Sequence, residues 1–519
     1  MHQPLYKDLS TGKCHLPWVR LHSTHSYLDM ARILDDFPKI RCTFNLTPTL
    51  ISQLMDIPAA ADENDVYLEL SIKDAGDLTA DEKYFILKNF FSCDYAAAIS
   101  PMKKYKELFL KRGPSPDGKF SREILSKFSV SDIRDIQVFF NLAWCGFTLK
   151  KGDSLVRALV EKGGGYDERD KRDLLARQKE IAASILPEYK KLQDSGRIEI
   201  STTPFYHPIL PILCGEKGKG DLHWEADAMW HIKKAIELYS KVFGRKPEGM
   251  WPAEGSVSDN VVPLFAGCGI KWIATDEKVL ASSLKDRGDA KVVNKFRAFT
   301  AGKFSRKISI VFRDNGLSDD ISFKYSHMSG KEAAREFHGH LTEIYKFLGN
   351  KCKDGLVAVI LDGENPWAHY PDDGKSFLSE LYRLLSEDKD METVTIGGYL
   401  GEHKKRLKIK HLASGSWIDH DFSKWRGSPQ KDKAWEYLKK AREDMFSSGN
   451  TAENALEELY IAESSDWFWW YDEFGTELNF IFDDLFRMHL KNMYRLTGRD
   501  VPDHLNKPVA GSKFDPRVR

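Results

Sequence analysis

The sequence predicts an α/β fold in which parallel strands and helices alternate around a barrel, with further helices in the C-terminal part. Short apolar segments separated by helical stretches recur from residue 41 to residue 396, as in parallel sheets whose crossover connections are helices. Ionisable residues directly follow most of these segments, which is where (β/α) barrels carry their functional side chains. Both observations favour a barrel over separate sheet and helix domains.

The short apolar segments have the length and composition of buried parallel strands. They are Arg41–Leu46, Arg197–Thr202, Gly249–Pro252, Ile270–Thr275, Lys307–Phe312 and Leu356–Leu361, with Thr393–Ile396 as a further candidate. The intervening stretches with helical periodicity include Asp167–Leu192, Glu225–Phe243 and Glu332–Leu348.

Five of these segments lead to polar side chains at their C-terminal ends. The side chains are those of His207, Glu254, Asp276, Glu277, Arg313, Asp314, Asp362 and Glu364. A barrel brings the C-terminal ends of all its strands to one rim, so such residues converge there. A doubly wound sheet would gather them at one crevice, usually beside a glycine-rich phosphate loop. The distribution therefore favours the barrel.

Two regions depart from the alternation and define the predicted domains. Residues 64–151 are mostly helical and are expected to form an insertion beside the barrel mouth, within a catalytic domain of residues 1–400. Residues 401–519 are expected to form a C-terminal α-helical domain, because Lys431–Ser447, Ala452–Ser464 and Leu478–Leu496 have amphipathic helical patterns.

Composition excludes several classes of function. Lys+Arg and Asp+Glu both total 77, so no net charge favours nucleic acid or an anionic membrane as a partner. The seven cysteines form no CxxC pair, which argues against a structural zinc site or a disulfide framework and for a reducing compartment. No signal peptide or transmembrane run is evident, so a cytoplasmic location is expected.

Two of the carboxylates stand in similar surroundings. Glu254 lies in the segment WPAEG, and Asp362 begins the segment DGENPW, so each has a glycine and a tryptophan nearby. Each alone is more often a helix N-cap or a solvated turn residue. As a pair on one rim they fit glycosidic bond cleavage, which needs one carboxylate at the anomeric carbon and one carboxylic acid at the leaving oxygen.

At these segments the chain resembles glycoside hydrolase family 57, whose sequences carry five short regions in a fixed order. The matching stretches are His2-Gln3-Pro4, residues 197–211 (RIEIST through HPILP), residues 250–259 (MWPAEGSVSD), residues 360–367 (ILDGENPW) and residues 414–417 (SGSW). Other family-like stretches are LPWVRLH at 16–22 and SSDWFWWYD at 464–472. The resemblance therefore spans nearly the whole chain.

The resemblance implies an α/β fold of incomplete (β/α)7 barrel type, similar to a TIM barrel, and a retaining double-displacement reaction on α-glucans. Glu254 would be the nucleophile and Asp362 the general acid/base, without a metal or another cofactor. If the mechanism is retaining, the two carboxyl groups should lie about 5–5.5 Å apart. The activity expected is α-amylase or amylopullulanase-like hydrolysis, and the alternatives within the family are 4-α-glucanotransferase and branching enzyme.

The resemblance also implies a set of substrate-binding residues. They are His2, Gln3, Glu199, His207, Trp251, Asp276, Glu364, Trp367 and Trp417. Trp467, Trp469 and Trp470 are candidates for acceptor-side platforms or, equally, for core packing.

Two alternatives from other functional classes stay open at this point. A metal-dependent polysaccharide deacetylase also uses Asp and His on a barrel rim, although His338 and His340 have unsuitable spacing for shared ligation. An inactive carbohydrate-binding protein with this fold is the other.

The His-Gln-Pro region closes the first barrel strand in the family, and here it follows Met1 directly. A polypeptide that lacks this strand is expected to be less stable than one that has it, because the flanking strand edges are exposed.

Overall fold

The computed structural model describes residues 1–57, 64–113, 121–215, 222–284, 294–303, 306–447, 449, 451–472 and 477–509. The chain folds as a mixed α/β structure with many helices around short strands. The strands are β1 (Cys42–Asn45), β2 (Ile198–Ser201), β3 (Gly249–Met250), β4 (Trp272–Asp276), β5 (Phe299–Lys303), β6 (Arg306–Arg313) and β7 (Leu407–Lys408).

Most strands follow one another in a parallel arrangement. β1 pairs with β2, β3 with β4, and β4 with β6, all in parallel. Parallel bridges continue this order, since Thr202 pairs with Met250 and Arg313 pairs with Ala358. The C-terminal ends of these strands therefore lie on the same side of the structure, as the alternation of strands and helices predicts.

The first half of the chain contains twelve α-helices among the residues that the structure describes. They are α1 (Trp18–His22), α2 (Leu28–Arg32), α3 (Pro48–Asp56), α4 (Val66–Ile72), α5 (Ala80–Asn89), α6 (Lys103–Arg112), α7 (Val130–Ala143), α8 (Phe147–Gly152), α9 (Ser154–Lys162), α10 (Glu168–Asp194), α11 (Leu210–Leu213) and α12 (Glu225–Phe243). The predicted helical region at 64–151 corresponds to α4–α8, with residues 114–120 outside the described part.

The helices described in the second half are α13 (Val262–Gly267), α14 (Glu277–Ser283), α15 (Asn315–Asp319), α16 (Gly330–Leu348), α17 (Lys375–Glu387), α18 (Ile396–Glu402), α19 (Pro429–Ser447), α20 (Glu453–Ala462), α21 (Ser465–Trp469) and α22 (Glu477–Leu496). α19, α20 and α22 confirm the three amphipathic helices that the sequence predicts after residue 400. None of the described helices is both long and apolar enough to cross a membrane.

Side chains at the helix starts explain why the longest helix begins where it does. Asp167 accepts hydrogen bonds from the backbone N–H groups of Arg169 and Asp170, and the Asp170 side chain accepts one from the N–H of Asp167. This capping box satisfies donors that have no partner inside the helix. α10 therefore starts one residue after the predicted position.

Two predicted strands differ from what the structure shows. Leu356–Leu361 forms only the single bridge of Ala358 to Arg313, and its residues are half-buried. The prediction of a strand at Thr393–Ile396 is wrong, because Thr395 accepts a hydrogen bond from the Gly398 N–H and so caps α18. The predicted strands also did not include β5, which pairs antiparallel with β6.

Burial differs sharply among the parallel strands. Every residue of β4 is buried, whereas all four residues of β1 and the segment 356–361 are only half-buried. The amino terminus lies against the C-terminal end of β1, where the Met1 ammonium group donates a hydrogen bond to the Asn45 carbonyl (2.7 Å) and the Met1 carbonyl accepts one from the Thr47 N–H. This contact fixes the position of His2.

Side chains of the strands and of α18 form a separate apolar cluster. Its buried members are Trp272, Ala274, Ala298, Val311, Tyr399 and Leu400, and Trp251, Leu356, Ile360, Val394 and Ile396 pack against them. Tyr399 and Leu400 come from α18, so this helix covers one end of the strands. The Glu199 carboxylate accepts a hydrogen bond from the Gly397 N–H at the start of α18 (2.6 Å).

The C-terminal helices are joined to the strand-bearing part by buried polar pairs. Arg442 on α19 makes two hydrogen bonds to Asp227 on α12 (2.8 and 3.0 Å). His231 on α12 pairs with Glu463, just after α20, at 2.9 Å, and both side chains are fully buried. These pairs connect α12 directly to α19 and to the end of α20, so they hold the C-terminal helices against α12.

The contact between Gly249 and Trp272 supplies a test of the strand packing. A Cβ atom on Gly249 would lie 1.9 Å from a ring carbon of Trp272, so we expect Gly249→Ala to destabilise the protein by about 1–3 kcal/mol through overpacking. Thermal or urea unfolding measures this. Gly267→Ala is the matched control, because a Cβ there meets nothing within 4 Å. Equal stability of the two variants would contradict the packing described here.

Candidate active site

Glu254 lies in a strained turn immediately after β3. Its backbone is in the left-handed region (φ 56°, ψ 26°), which is unfavourable for a residue with a side chain. Trp417 holds this turn twice, because its backbone N–H donates to the Glu254 carbonyl (3.0 Å) and its indole Nε1–H donates to Glu254 Oε2 (2.6 Å). The carboxylate therefore has a fixed direction.

The electrostatic surroundings of Glu254 act in opposite directions. Burial raises the pKa of Glu254 to about 7, and the charge of Asp362 contributes to the rise, whereas the Trp417 hydrogen bond and the charge of His2 lower the pKa. The effect of Asp362 shows that the two carboxyl groups are close enough to interact. Like charges at one site disfavour joint ionisation.

Asp362 and Glu364 follow the bridged segment 356–361 and have contrasting surroundings. Asp362 is exposed, and its Oδ2 accepts a hydrogen bond from Asn365 (3.0 Å). Glu364 is buried, and its Oε1 accepts hydrogen bonds from the Tyr27 hydroxyl (2.6 Å) and the His2 backbone N–H (2.9 Å). Asp362 is therefore accessible to a ligand, while Glu364 anchors the amino-terminal segment.

His2 and His207 form a stacked pair beside Glu254. Their ring centroids are 3.7 Å apart with an interplanar angle of 18°, and His207 Nδ1 lies 4.0 Å from Glu254 Oε1. Burial lowers the pKa of His207 well below its ordinary value, and the neighbouring His2 lowers it further. His207 is thus a neutral imidazole, also in the left-handed backbone region (φ 58°).

Residues at the start of α21 hold both histidines, and these are the site residues that the sequence prediction missed. Asp466 Oδ1 lies 2.7 Å from His2 Nε2, and the Ser465 hydroxyl lies 2.8 Å from His207 Nδ1. The Ser465 N–H also donates to the His207 carbonyl (3.1 Å). The stretch SSDW is family-like in sequence, but neither helical periodicity nor a strand assignment places it near residue 2.

Two of the three tryptophans predicted for the site, Trp251 and Trp417, pack together beside Glu254. The rings of Trp251 and Trp417 meet edge to face with centroids 5.2 Å apart, and the Arg313 guanidinium lies 5.2 Å from the centroid of the Trp417 ring. Trp367 is buried, and its indole nitrogen has no hydrogen-bond partner. Trp251 and Trp417, which are half-exposed, are the aromatic faces available to a ligand near Glu254.

Three residues expected to bind substrate are held in contacts that serve the fold. Glu199 accepts hydrogen bonds from the Trp272 indole (2.9 Å) and from the Gly397 N–H, beneath the C-terminal end of β2. Asp276 is fully buried, caps α14 through the Lys278 N–H and lies 3.4 Å from His420 Nδ1. Buried Gln3 accepts a hydrogen bond from the Tyr6 hydroxyl (2.9 Å).

The tryptophans of the stretch 464–472 divide into two groups. Trp467 is buried, and its indole donates a hydrogen bond to the Ile461 carbonyl (2.7 Å), so it belongs to the core of the C-terminal helices. Trp470 is half-buried and stacks on Phe482 (5.3 Å). Trp469 is half-buried, with the Lys424 ammonium 4.3 Å from its ring centroid. Packing thus accounts for Trp467 and Trp470.

Two groups of described side chains bring potential metal-ligating atoms together. They are His2, His207 and Asp466 in the site, and Asp320, Glu336 and His340 elsewhere. The rings of the first group are stacked, so their in-plane nitrogen lone pairs run nearly parallel and do not converge on one point. This geometry suits two histidines that each pair with a residue of α21 better than it suits the metal centre of a metal-dependent hydrolase.

Comparison with known proteins assigns the family. The family model described as glycosyl hydrolase family 57 matches residues 1–410. The chain belongs to this family. The predicted resemblance to this family is thereby confirmed over residues 1–410, and the family is one of glycoside hydrolases.

Individual relatives are distant in sequence. Alpha-amylase 1 of Dictyoglomus thermophilum is 33% identical over 18% of this chain and 12% of its own length. The 1,4-alpha-glucan branching enzyme of Thermococcus kodakarensis is 20% identical over 59% of this chain and 56% of its own length. The chain thus matches only about half, or less, of these relatives.

Solved structures share the fold over almost the whole chain. A family 57 branching enzyme from Thermococcus kodakaraensis superposes with a TM-score of 0.63 at 16% identity, covering 95% of this chain and 88% of that structure. The α-amylase AmyC from Thermotoga maritima gives a TM-score of 0.59 at 15% identity, and the match covers 97% of this chain and 94% of that structure. A family 57 branching enzyme from Pyrococcus horikoshii gives a TM-score of 0.60 at 16% identity, and the match covers 99% of this chain and 96% of that structure.

Replacing Trp417 by phenylalanine tests how Glu254 is held. Trp417→Phe keeps an aromatic ring but removes the Nε1–H donor that lowers the pKa of Glu254. We expect that pKa to rise above about 7, so the acidic limb of the kcat/KM profile should move to higher pH. Trp230→Phe is the control, since Trp230 stacks on Tyr460 away from these groups. An unmoved acidic limb in Trp417→Phe would contradict this assignment.

Proposed function

We propose that the protein is a retaining glycoside hydrolase of α-glucans in which Glu254 is the nucleophile and Asp362 the general acid/base. The observation that carries this proposal is the fixed, largely buried Glu254 carboxylate, which interacts electrostatically with an exposed Asp362. The two roles follow the resemblance of the segments around Glu254 and Asp362 to the family's nucleophile and acid/base regions. The nucleophile must be ionised, and the Trp417 hydrogen bond and the His2 charge favour that form of Glu254 against the effect of burial.

In the first step Glu254 attacks the anomeric carbon of the bound sugar, and Asp362 gives its proton to the departing glycosidic oxygen. The bond between the sugar and the leaving chain breaks as a glycosyl ester to Glu254 forms. In the second step Asp362 takes a proton from water as the water oxygen attacks the anomeric carbon, which releases Glu254. Both carboxyl groups return to their starting states.

The surroundings of Glu254 set the pH range of this reaction. The nucleophile must be ionised, and its pKa is about 7 because burial raises it. Activity should therefore fall as the pH drops below about 7. Without the Trp417 hydrogen bond and the His2 charge, the pKa of Glu254 would be higher and the activity would fall at a higher pH. Trp251 and Trp417 supply aromatic faces for the sugar rings, and His2 and His207 supply polar contacts.

We further propose that the parallel strands form an incomplete (β/α)7 barrel in a catalytic domain of residues 1–400, with residues 401–519 as a helical domain. The continuous parallel order from β1 to the segment 356–361, with all C-terminal ends on one side, supports this arrangement. Trp417 and Asp466, both beyond residue 400, lie at Glu254 and His2, so the helical domain would complete the site.

Transfer to a sugar hydroxyl is the second candidate outcome. Two of the similar structures reported above are branching enzymes, and one is an α-amylase. The glycosyl ester on Glu254 can be opened by a sugar hydroxyl in place of water, and the balance depends on how well the acceptor region excludes water. The substrate class and the two carboxyl groups are the same in both cases.

Incubation with maltoheptaose distinguishes these outcomes. We expect the wild-type protein to release shorter maltooligosaccharides, resolved by chain length, and Glu254→Gln to lower the rate by at least about 10³-fold, because the amide cannot form the ester. Products longer than seven glucose units would indicate transfer. Glu180→Gln is the control, since Glu180 is exposed on α10 and pairs with Arg177.

Equal rates for wild type and Glu254→Gln would contradict the assignment of the nucleophile. NMR analysis of the first product would show retention of the α-anomer. An inverted product would contradict the double displacement, since it would require water to attack directly.

A further inference from the structure

The first turn of α21 makes a set of contacts that double displacement itself does not require. Ser464 is buried and Asp466 is half-buried beside His2, and the Ser464 hydroxyl donates a hydrogen bond to Asp466 Oδ2 (2.7 Å). The other oxygen, Asp466 Oδ1, lies 2.7 Å from His2 Nε2. Both oxygens of one carboxylate are thus engaged, which fixes its orientation toward the imidazole.

We propose that Asp466 is a positioning residue that keeps His2 in its cationic form and directs the ring toward Glu254. This role rests on the proposed function of Glu254 as the nucleophile. In this role Asp466, on the C-terminal helix α21, affects the charge of Glu254 through His2.

The charges around His2 agree with this role. Burial acts to lower the pKa of His2, but the charge and hydrogen bond of Asp466, together with the charges of Glu254 and Glu364, outweigh it and raise the pKa. The pKa of Asp466 is lowered despite burial, because His2 pairs with it. The remaining ionisable neighbours are His207, which is neutral, and the Met1 ammonium group.

The stacked arrangement explains why one histidine is charged and the other is not. Two imidazolium rings at 3.7 Å would repel each other, and the cation on His2 lowers the pKa of His207. His2 has the carboxylate partner, whereas His207 has the neutral Ser465 hydroxyl. The partners supplied by α21 therefore place the proton on His2, where its charge lowers the pKa of Glu254.

Asp466→Asn removes the charge while keeping the size of the side chain. NMR titration of ¹³C-labelled histidine in the intact protein measures His2 directly, with its resonance identified by its loss in His2→Gln. We expect the pKa of His2 to fall by about one unit or more in Asp466→Asn and to be largely retained in Asp466→Glu. Ser465→Ala, which removes only the His207 partner, should leave the His2 titration in place.

An unchanged His2 titration in folded Asp466→Asn would overturn the proposal, whatever the activity of the protein. Thermal unfolding verifies folding, and if Asp466→Asn is unfolded, Ser464→Ala replaces it, with a smaller fall in the His2 pKa expected. This measurement needs no substrate, so its failure is distinguishable from failure of the proposed function.

The kinetic consequence is a second readout. The charge of His2 lowers the pKa of Glu254 and the charge of Asp466 raises it, so the effect of His2 is tested in His2→Gln, where Asp466 keeps its charge. The kcat/KM of His2→Gln relative to wild type should be lower at pH 6 than at pH 8, by up to about tenfold per unit of pKa change. A purely structural role would lower kcat/KM equally at both pH values, and that result would count against the proposal.

Discussion

The structure around the site depends on one constraint: the carboxylate proposed as the nucleophile, which must be ionised in that role, is placed where burial favours its protonated form. Burial alone raises the pKa of Glu254, and two fixed groups oppose it, the indole N–H of Trp417 and the cation on His2. Neither group adjoins Glu254 in sequence. The fold must therefore bring residue 2, residue 254 and residue 417 together and hold them, because the pKa depends on their distances.

Bringing these residues together requires backbone conformations that cost free energy. The non-glycine residues with positive φ among those described are His207, Glu254, Asp373, Asp419 and His420. His207 and Glu254 are in the site, and Asp419 and His420 directly follow the segment carrying Trp417. Such conformations cost about 1–3 kcal/mol each and persist only where the surroundings enforce them. Here hydrogen bonds from Trp417 and Ser465 to the carbonyls of Glu254 and His207 do so.

Sequence patterns predicted several strands and the long helices, and the family resemblance supplied Glu254, His2, His207 and Trp417, which the structure brings together. Apolar segments and helical periodicity located β2, β4, β6 and the long helices, because each depends on local burial. They failed at Thr393–Ile396, where the Thr395 side chain caps α18. Asp466 was missed because its role exists only through its contact with His2, 464 positions away, and no local pattern encodes such a pair.

The opposing influences on Glu254 also determine what happens when the C-terminal helices loosen locally. Water entering the site would lower the pKa of the carboxylate by reversing its desolvation, so Glu254 would stay ionised without Trp417 or His2. Its direction would nevertheless be lost, since the Trp417 hydrogen bonds hold the turn. Loss of catalysis would then precede loss of charge, because the attack requires a near-attack geometry that ionisation alone does not supply. The helices matter first for placement, and their electrostatic effect on Glu254 operates only while that placement lasts.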